Sequence, residues 1–311
     1  EILKDSEFNI RSELVETEEE AVKAAKRLKY PVIIKNTVGA KSLFIKKVEN
    51  EKELRKNFRE IKEGIKKQSA EYTLNFKKFF PKIKYHDPKK HLLIEKFIEG
   101  KQITVVSFPG DKKIWHIPIL CRVVTAKESG IADTHLLART IPYKAGEVLT
   151  EKIFQASEDT IKRLKTKRCG THIELLVTEK NEVKILEITT RLGGFRPEMF
   201  KEAYGINLFR ILTEVAVGKT PKIKLTKKCA VTAVEKFHSK SGIIKSITGV
   251  KEIQARKDVF GFKQASFIGD ETGPASKGHR AICSFIVKGK TSKTSHEKAL
   301  KYLKKIRIIV K

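Results

Sequence analysis

The 311-residue chain lacks the familiar signatures of nucleotide-binding folds. It has no GxGxxG and no GxxxxGK[ST], so neither a Rossmann turn nor a P-loop is supported. It has no CxxC pair. Cys121, Cys169, Cys229 and Cys283 lie far apart, which argues against a zinc site, and a chain of this size needs no disulfide staples. They read as reduced, mostly buried thiols of a cytoplasmic protein, and none sits in an activating motif for a nucleophile. No run of roughly 18 uncharged apolar residues exists, which excludes a membrane-spanning helix. The opening Glu1-Ile2-Leu3-Lys4 has no signal-peptide apolar stretch. Methionine occurs once, at Met199, so the chain lacks an initiating residue and is expected to be missing its leading domain. There is no internal repeat and no low-complexity tract.

Acidic residues are scarce beside basic ones: 37 Asp and Glu against 66 Lys and Arg, a formal net charge of +29. Such a balance raises nucleic acid as a partner. Its distribution speaks against that. From Lys219 to Lys311 there are 23 basic and 6 acidic residues, so +17 falls in the last third, scattered and dominated by lysine. Arginine is the better phosphate fork, and no aromatic–basic stacking platform accompanies the lysines. The charge therefore reads as a solvated surface, with no specific nucleic acid and no membrane expected.

At 40% hydrophobic residues the chain can bury a core, and its length suggests about two domains. Thr17 and Glu20 have capping-box spacing ahead of Ala21, Ala24, Ala25 and Leu28, a helix that ends before Pro31. Val32–Lys35 reads as a buried strand, Asn36–Ser42 as a loop, Leu43–Val48 as the returning strand. Asn50 caps a helix over 51–67. Residues 68–90 read as a long loop. Strands follow at 91–97, 102–108 and 114–120. A flexible segment, 125–143, precedes a helix over 150–167. A hairpin spans 172–178 and 183–189. Pro197 opens a helix that Gly205 ends, and Asn207 caps another through Val217. Short strands and a late helix, 295–305, complete an α+β or α/β chain built mainly of antiparallel hairpins.

Three clusters carry chemistry. In Tyr30-Pro31-Val32-Ile33-Ile34-Lys35 a lysine ends a buried strand, beside a small-residue loop with Gly39 and Ser42 whose N–H groups could approach phosphate. In Ile94-Glu95-Lys96-Phe97-Ile98-Glu99-Gly100 a buried strand ends in an acid, an apolar pair and a glycine. In His172-Ile173-Glu174 and Leu186-Glu187-Ile188-Thr189-Thr190-Arg191-Leu192-Gly193-Gly194, two acids lie 13 positions apart on paired strands. Cross-strand carboxylates on one face repel unless a cation sits between them, and hard oxygens with room for phosphate and water suit Mg²⁺. Each cluster alone also fits an ordinary strand edge or turn.

Together, and in this order, the clusters resemble the ATP-grasp superfamily, over roughly Lys4–Gly218. The tail from Gly273 to Ile306 looks like the closing region of the carboxylate–amine ligases, amino-acid ligases in particular. The resemblance implies an ATP-grasp fold: a small lobe over 1–100, a large lobe with the metal hairpin over 101–224, antiparallel sheets clasping ATP, and a C-terminal α/β region over 225–311. It implies ATP and Mg²⁺, with Mn²⁺ as a substitute. Lys35, with Gly39 and Ser42, would contact the phosphates. Glu95 would meet the adenine amine, and the backbone of Lys96, Phe97 and Ile98 would read the ring. Gln102 stands where an acid usually binds ribose. Glu174 and Glu187 would bridge the metal, with Thr189 in place of the usual asparagine. Arg191 would stabilise the transferred phosphoryl group, and Gly193 and Gly194 would flank the substrate. His135 and Arg139 are further candidates for substrate contact. The implied reaction is carboxylate activation to an acyl-phosphate followed by attack of an amine. Small-molecule carboxylate and amine substrates and a homodimer are expected. The rivals are a bicarbonate-phosphorylating carboxylase or carbamoyl-phosphate-synthetase-like enzyme, and a nucleotide-binding regulator without turnover.

Overall fold

The computed structural model describes residues 2–37, 44–68, 87, 89–130, 136–226 and 228–311. Gly39, Ser42 and His135 lie outside the described residues, as does most of the loop expected over 68–90. The chain divides into two compact units. One is Ile10–Glu99; the other joins Glu1–Asn9 to Gly100–Lys311.

In the Ile10–Glu99 unit, strands β1 (Ser12–Val15), β2 (Val32–Asn36), β3 (Ile45–Val48) and β4 (Leu92–Lys96) form an antiparallel sheet in the order β1-β4-β2-β3. Helices α1 (Glu18–Leu28) and α2 (Glu51–Gln68) pack on it. The expected capping box starts α1: Thr17 Oγ1 accepts from the Glu20 N–H at 3.2 Å, and Glu20 accepts from the Thr17 N–H. Ala21, Ala24, Ala25 and Leu28 of α1, with Leu54, Phe58 and Ile61 of α2, bury Val32, Ile34, Leu92 and Ile94. Strand periodicity then turns Lys35 and Glu95 to the opposite face.

The second unit is built on a nine-stranded antiparallel sheet. Its strands are β5 (Lys101–Pro109), β6 (Ile114–His116), β7 (Leu120–Thr125), β8 (Leu136–Tyr143), β9 (Thr171–Val177), β10 (Val183–Thr189), β11 (Ala230–Lys236), β13 (Val259–Gln264) and β15 (Cys283–Gly289). The order is β10-β9-β5-β7-β8-β11-β15-β13, with β6 paired to β5. A small sheet joins β14 (Glu271–Thr272), β12 (Gly242–Thr248) and β16 (Arg307–Val310). One face of the large sheet carries Val106, Phe108, Cys121, Ile141, Val231 and Ala233 against helices α4 (Arg196–Tyr204) and α5 (Leu208–Ala216). On the other face Ile103, Val105, Ile173 and Leu175 meet α3 (Glu147–Arg163), and Val234, Phe285 and Val287 meet α7 (Ser292–Lys305). A short α6 (Val250–Gln254) precedes β13.

The elements are those of an α+β chain with antiparallel hairpins, but two segments differ from expectation. Residues 125–143 read as flexible, yet Leu136–Tyr143 is β8, paired on both sides inside the large sheet. Arg139 and Thr140 made the stretch look polar. Their partners come from β11: Arg139 bonds Glu235 at 2.8 Å and Thr140 Oγ1 bonds Thr232 Oγ1 at 2.9 Å. The expected strand 114–120 is likewise broken into β6 and the start of β7.

Candidate active site

In the Ile10–Glu99 unit, Lys35 and Glu95 come together: Nζ lies 2.8 Å from Oε2, and both side chains are largely buried, 21% and 13% exposed. Register explains this. Glu95 faces Ile33 across the β2–β4 ladder, so Lys35, two residues on, is its diagonal neighbour. In the expected ring-reading stretch, the Lys96 N–H donates to the Arg11 carbonyl and the Phe97 N–H to the Pro31 carbonyl. Lys47 Nζ sits 4.2 Å from the Phe97 ring centroid, a cation over an aromatic face. Ile98 follows at the end of this unit.

In the other unit, Glu174 on β9 and Glu187 on β10 are direct register partners. A β-bulge between Ile185 and Glu187 makes this so. Without it these two residues, two apart, would share a face. With it Ile185 enters the core under α3, while Glu187 turns to the side of Glu174. Gln102 on β5 donates its side-chain N–H to Glu174 Oε2 at 2.7 Å, and His172 Nε2 lies 3.2 Å from Oε1. Burial works against ionising Glu174. The hydrogen bond from His172, and then the charges of Arg196 and Arg139, outweigh it and hold the carboxyl below its ordinary value. Burial lowers the His172 pKa in turn, and the neutral imidazole fits that site.

Beyond β10 the chain turns over the same end of the sheet. Thr189 is opposite His172 in the ladder, and its hydroxyl donates to the His172 carbonyl at 3.4 Å. Arg191 is exposed, its Nη1 donating to the Leu192 carbonyl at 3.0 Å. Gly193 is buried against the His172 ring, where a Cβ would come within 2.6 Å of Nδ1; a Cβ on Gly194 would meet open space. Phe195 adopts a left-handed conformation, φ 63°, to start α4.

Arg196 was not singled out in the sequence, where it reads as one more basic residue. It is 2% exposed and bonds Thr104 Oγ1 at 3.0 Å and the Gly194 carbonyl at 3.2 Å, with its Nε unpartnered among the described residues. Burial lowers its pKa, though a guanidinium stays charged. His172, which contacts Glu174, and Glu235, which bonds Arg139, were not singled out either. Arg139, the expected substrate contact, is brought beside Glu235 and the Phe195 ring, 5.2 Å from its Cζ.

Among the described residues no group of three or more His, Cys, Asp and Glu could hold a metal ion. Mg²⁺ asks for less: one or two carboxylates, with water and substrate phosphates completing its shell. The register-opposed Glu174 and Glu187 fit that donor set. Among the described residues no helix is long and apolar enough to cross a membrane.

Comparison with known proteins bears on the family and the fold. The L-amino acid ligase C-terminal domain 2 family matches residues 237–311. Biotin carboxylase 2 of Bacillus subtilis is 27% identical over 202 residues, 65% of this chain and 40% of that protein, so the chain spans well under half of this relative. The crystal structure of L-amino acid ligase from Bacillus licheniformis superposes with a TM-score of 0.80 at 16% identity, covering 100% of this chain and 71% of that one. The biotin carboxylase domain dimer of Hydrogenobacter thermophilus 2-oxoglutarate carboxylase, solved with MgADP and bicarbonate, gives a TM-score of 0.65 at 18% identity, covering 97% and 63%. At such identities these structural likenesses speak to the fold. The ATP-grasp domain family matches residues 28–197, more than half of the sequence, and the chain belongs to that family.

Proposed function

We propose that this chain is an ATP-dependent carboxylate–amine ligase that forms an amide bond through an acyl-phosphate, with an amino acid as a substrate. The observation that carries the reading is the bulge-directed pairing of Glu174 with Glu187 beside the Arg191 loop, in a chain of this family whose tail matches an L-amino acid ligase domain.

The residues divide the work as follows. Glu95 and the Lys96–Ile98 backbone receive adenine, Lys35 neutralises phosphate oxygens, and the backbone N–H groups of Gly39 and Ser42 hydrogen-bond them. Glu174 and Glu187, with Thr189 as a weaker oxygen donor, hold Mg²⁺, which screens the phosphate charge when bound. His172 and Gln102 orient Glu174, and Gln102 keeps its carbonyl oxygen for the ribose. Arg191 stabilises charge on the γ-phosphoryl group as it passes to the substrate carboxylate. An amine then attacks the acyl carbon and phosphate leaves. No nucleophilic side chain is required. A homodimer belongs to the same reading and is checked by light scattering.

The test is phosphate release from ATP by the full chain across a panel of carboxylates and amines, with and without Mg²⁺. Release that needs both an acid and an amine supports the ligase. Release driven by bicarbonate alone supports a carboxylase-type reaction instead, the reading favoured by the likeness to biotin carboxylase 2. Tight ATP binding without release for any pair supports a regulator.

A further inference from the structure

The face that carries Glu174 also carries a second charge pair. Arg139 on β8 and Glu235 on β11 bond at 2.8 Å, with side chains only 12% and 23% exposed. Strand alternation fixes their side of the sheet. Arg139 is two residues from Ile141, and Glu235 two from Ala233, both in the core beneath α4 and α5. Gln102 and Thr104 share that side with Val106 and Phe108, and Glu174 faces Thr104 across the β5–β9 ladder. Arg139 lies close enough to Glu174 for its charge to help keep that carboxyl ionised. The Phe195 ring, at the end of the glycine loop, closes over the guanidinium.

Strand order therefore sets a sequence of charges: negative at Glu187 and Glu174 on β10 and β9, positive at Arg196 where it reaches Thr104 on β5 and at Arg139 on β8, negative at Glu235 on β11. Adjacent strands are about 4.8 Å apart, so four steps from β9 to β11 span about 19 Å. A bare carboxylate or bicarbonate drawn to Arg139 must also face Glu235, which repels it. A zwitterion meets both charges with the matching sign. An ion pair held largely out of water is costly to keep if it only serves packing, because apolar side chains would fill the same volume as well.

We propose that Arg139 and Glu235 together read an α-amino acid, Arg139 taking its α-carboxylate and Glu235 its α-ammonium. The ligand lies with its carboxylate toward Glu174, where it is activated, and its ammonium toward β11. This assignment rests on the amide-ligase reading for the fate of that carboxylate. It adds Glu235 as the residue that separates amino acids from simple carboxylic acids. A site built to bind a polar group discriminates strongly against the analogue that lacks it.

The experiment measures binding, independent of turnover. The twenty amino acids are titrated calorimetrically into the full chain with Mg²⁺ and ADP. The tightest is then compared with its des-amino acid and its methyl ester. The wild type is expected to prefer the amino acid over the des-amino acid by about 100-fold. Glu235→Gln should shrink that ratio to within about threefold, and Arg139→Gln should do the same for the methyl ester. Should either single variant melt early, the neutral pair Arg139→Gln with Glu235→Gln is used, and both ratios are expected to collapse. No binding of any amino acid, or an unchanged des-amino ratio in Glu235→Gln, overturns the inference. Acid- and amine-dependent phosphate release alongside that result leaves the ligase reading standing. Amino acid binding that depends on Glu235, without phosphate release, upholds the inference and removes the ligase reading.

Discussion

Gly193→Ala and Gly194→Ala are adjacent, chemically identical changes for which the structure expects opposite outcomes. At Gly193 an added Cβ falls 2.6, 2.7 and 2.9 Å from Nδ1, Cε1 and Cγ of His172. Ordinary contact begins near 3.4 Å, so the ring must recede by about 0.8 Å. It has little freedom to do so, because its other nitrogen bonds Glu174 at 3.2 Å and the residue is only 6% exposed. Moving away from the new methyl stretches or breaks that bond. Overpacking of this kind costs about 1–3 kcal/mol, and loss of a hydrogen bond to a charged group falls in the same range; the two overlap, so about 2 kcal/mol is expected. At Gly194 a Cβ meets nothing within 4 Å, and no left-handed backbone demands glycine there. That alanine should leave stability unchanged or raise it by up to about 1 kcal/mol through a less flexible unfolded chain. The assay is urea unfolding followed by fluorescence. The single tryptophan, Trp115, packs on the core beneath α4 and α5 in the same unit, so its signal reports the right part of the chain. Gly193→Ala should also loosen Mg²⁺ binding, since the His172 hydrogen bond is the foremost influence holding Glu174 ionised against burial. Equal midpoints for the two variants, or a more stable Gly193→Ala, would refute the placement of His172 and with it the support assigned to Glu174.

Three further outcomes are expected. Glu187→Gln should abolish phosphate release while leaving the metal-free protein as stable or slightly more so, because like charges directly opposite in a ladder repel; retained turnover would sink the metal assignment. Arg196→Met should change urea stability by less than about 1 kcal/mol, since the buried guanidinium carries a desolvation cost that an apolar side chain avoids. It should nevertheless lower turnover at least about tenfold and speed hydrogen exchange in residues 192–195, by releasing the Gly194 carbonyl from Thr104; unchanged exchange would show that Arg196 does not hold the loop. The third concerns acid. Burial against Phe154 and Ser107 lowers the His116 pKa despite its contact with Glu158. The neutral imidazole is thus favoured by folding, so its stabilisation is complete above about pH 6.5 and declines as pH falls below that value. Urea midpoints read through Trp115 should drop between pH 7 and 5, and His116→Asn should flatten part of that slope; a slope of unchanged size would contradict the assignment.

How much of the site could be read beforehand depends on where each partner comes from. Lys35 with Glu95, and Glu174 with Glu187, carry local signals: an acid or lysine interrupting an apolar strand. The hairpin turn sets the second pair nearly opposite each other. The bulge that turns Glu187 to the side of Glu174 leaves no mark in the local pattern, because simple alternation puts Ile185 and Glu187 on one face. Strand β8 was hidden for a related reason. Arg139 and Thr140 look like loop residues until Glu235 and Thr232, about 90 positions later, satisfy them inside the sheet. Arg196 was overlooked because a basic residue beside a glycine pair ordinarily faces water. Here Thr104 and the Gly194 carbonyl receive it within the core. Long-range pairing, which one sequence does not display, accounts for each miss.

We propose that ATP activates a substrate carboxylate. This is tested most directly by labelling that carboxylate with ¹⁸O and following the label through one turnover with Mg²⁺, ATP and an amine. Passage through an acyl-phosphate requires one labelled oxygen to appear in the inorganic phosphate released, with ADP as co-product. Unlabelled phosphate, or release of AMP and pyrophosphate, would contradict the account.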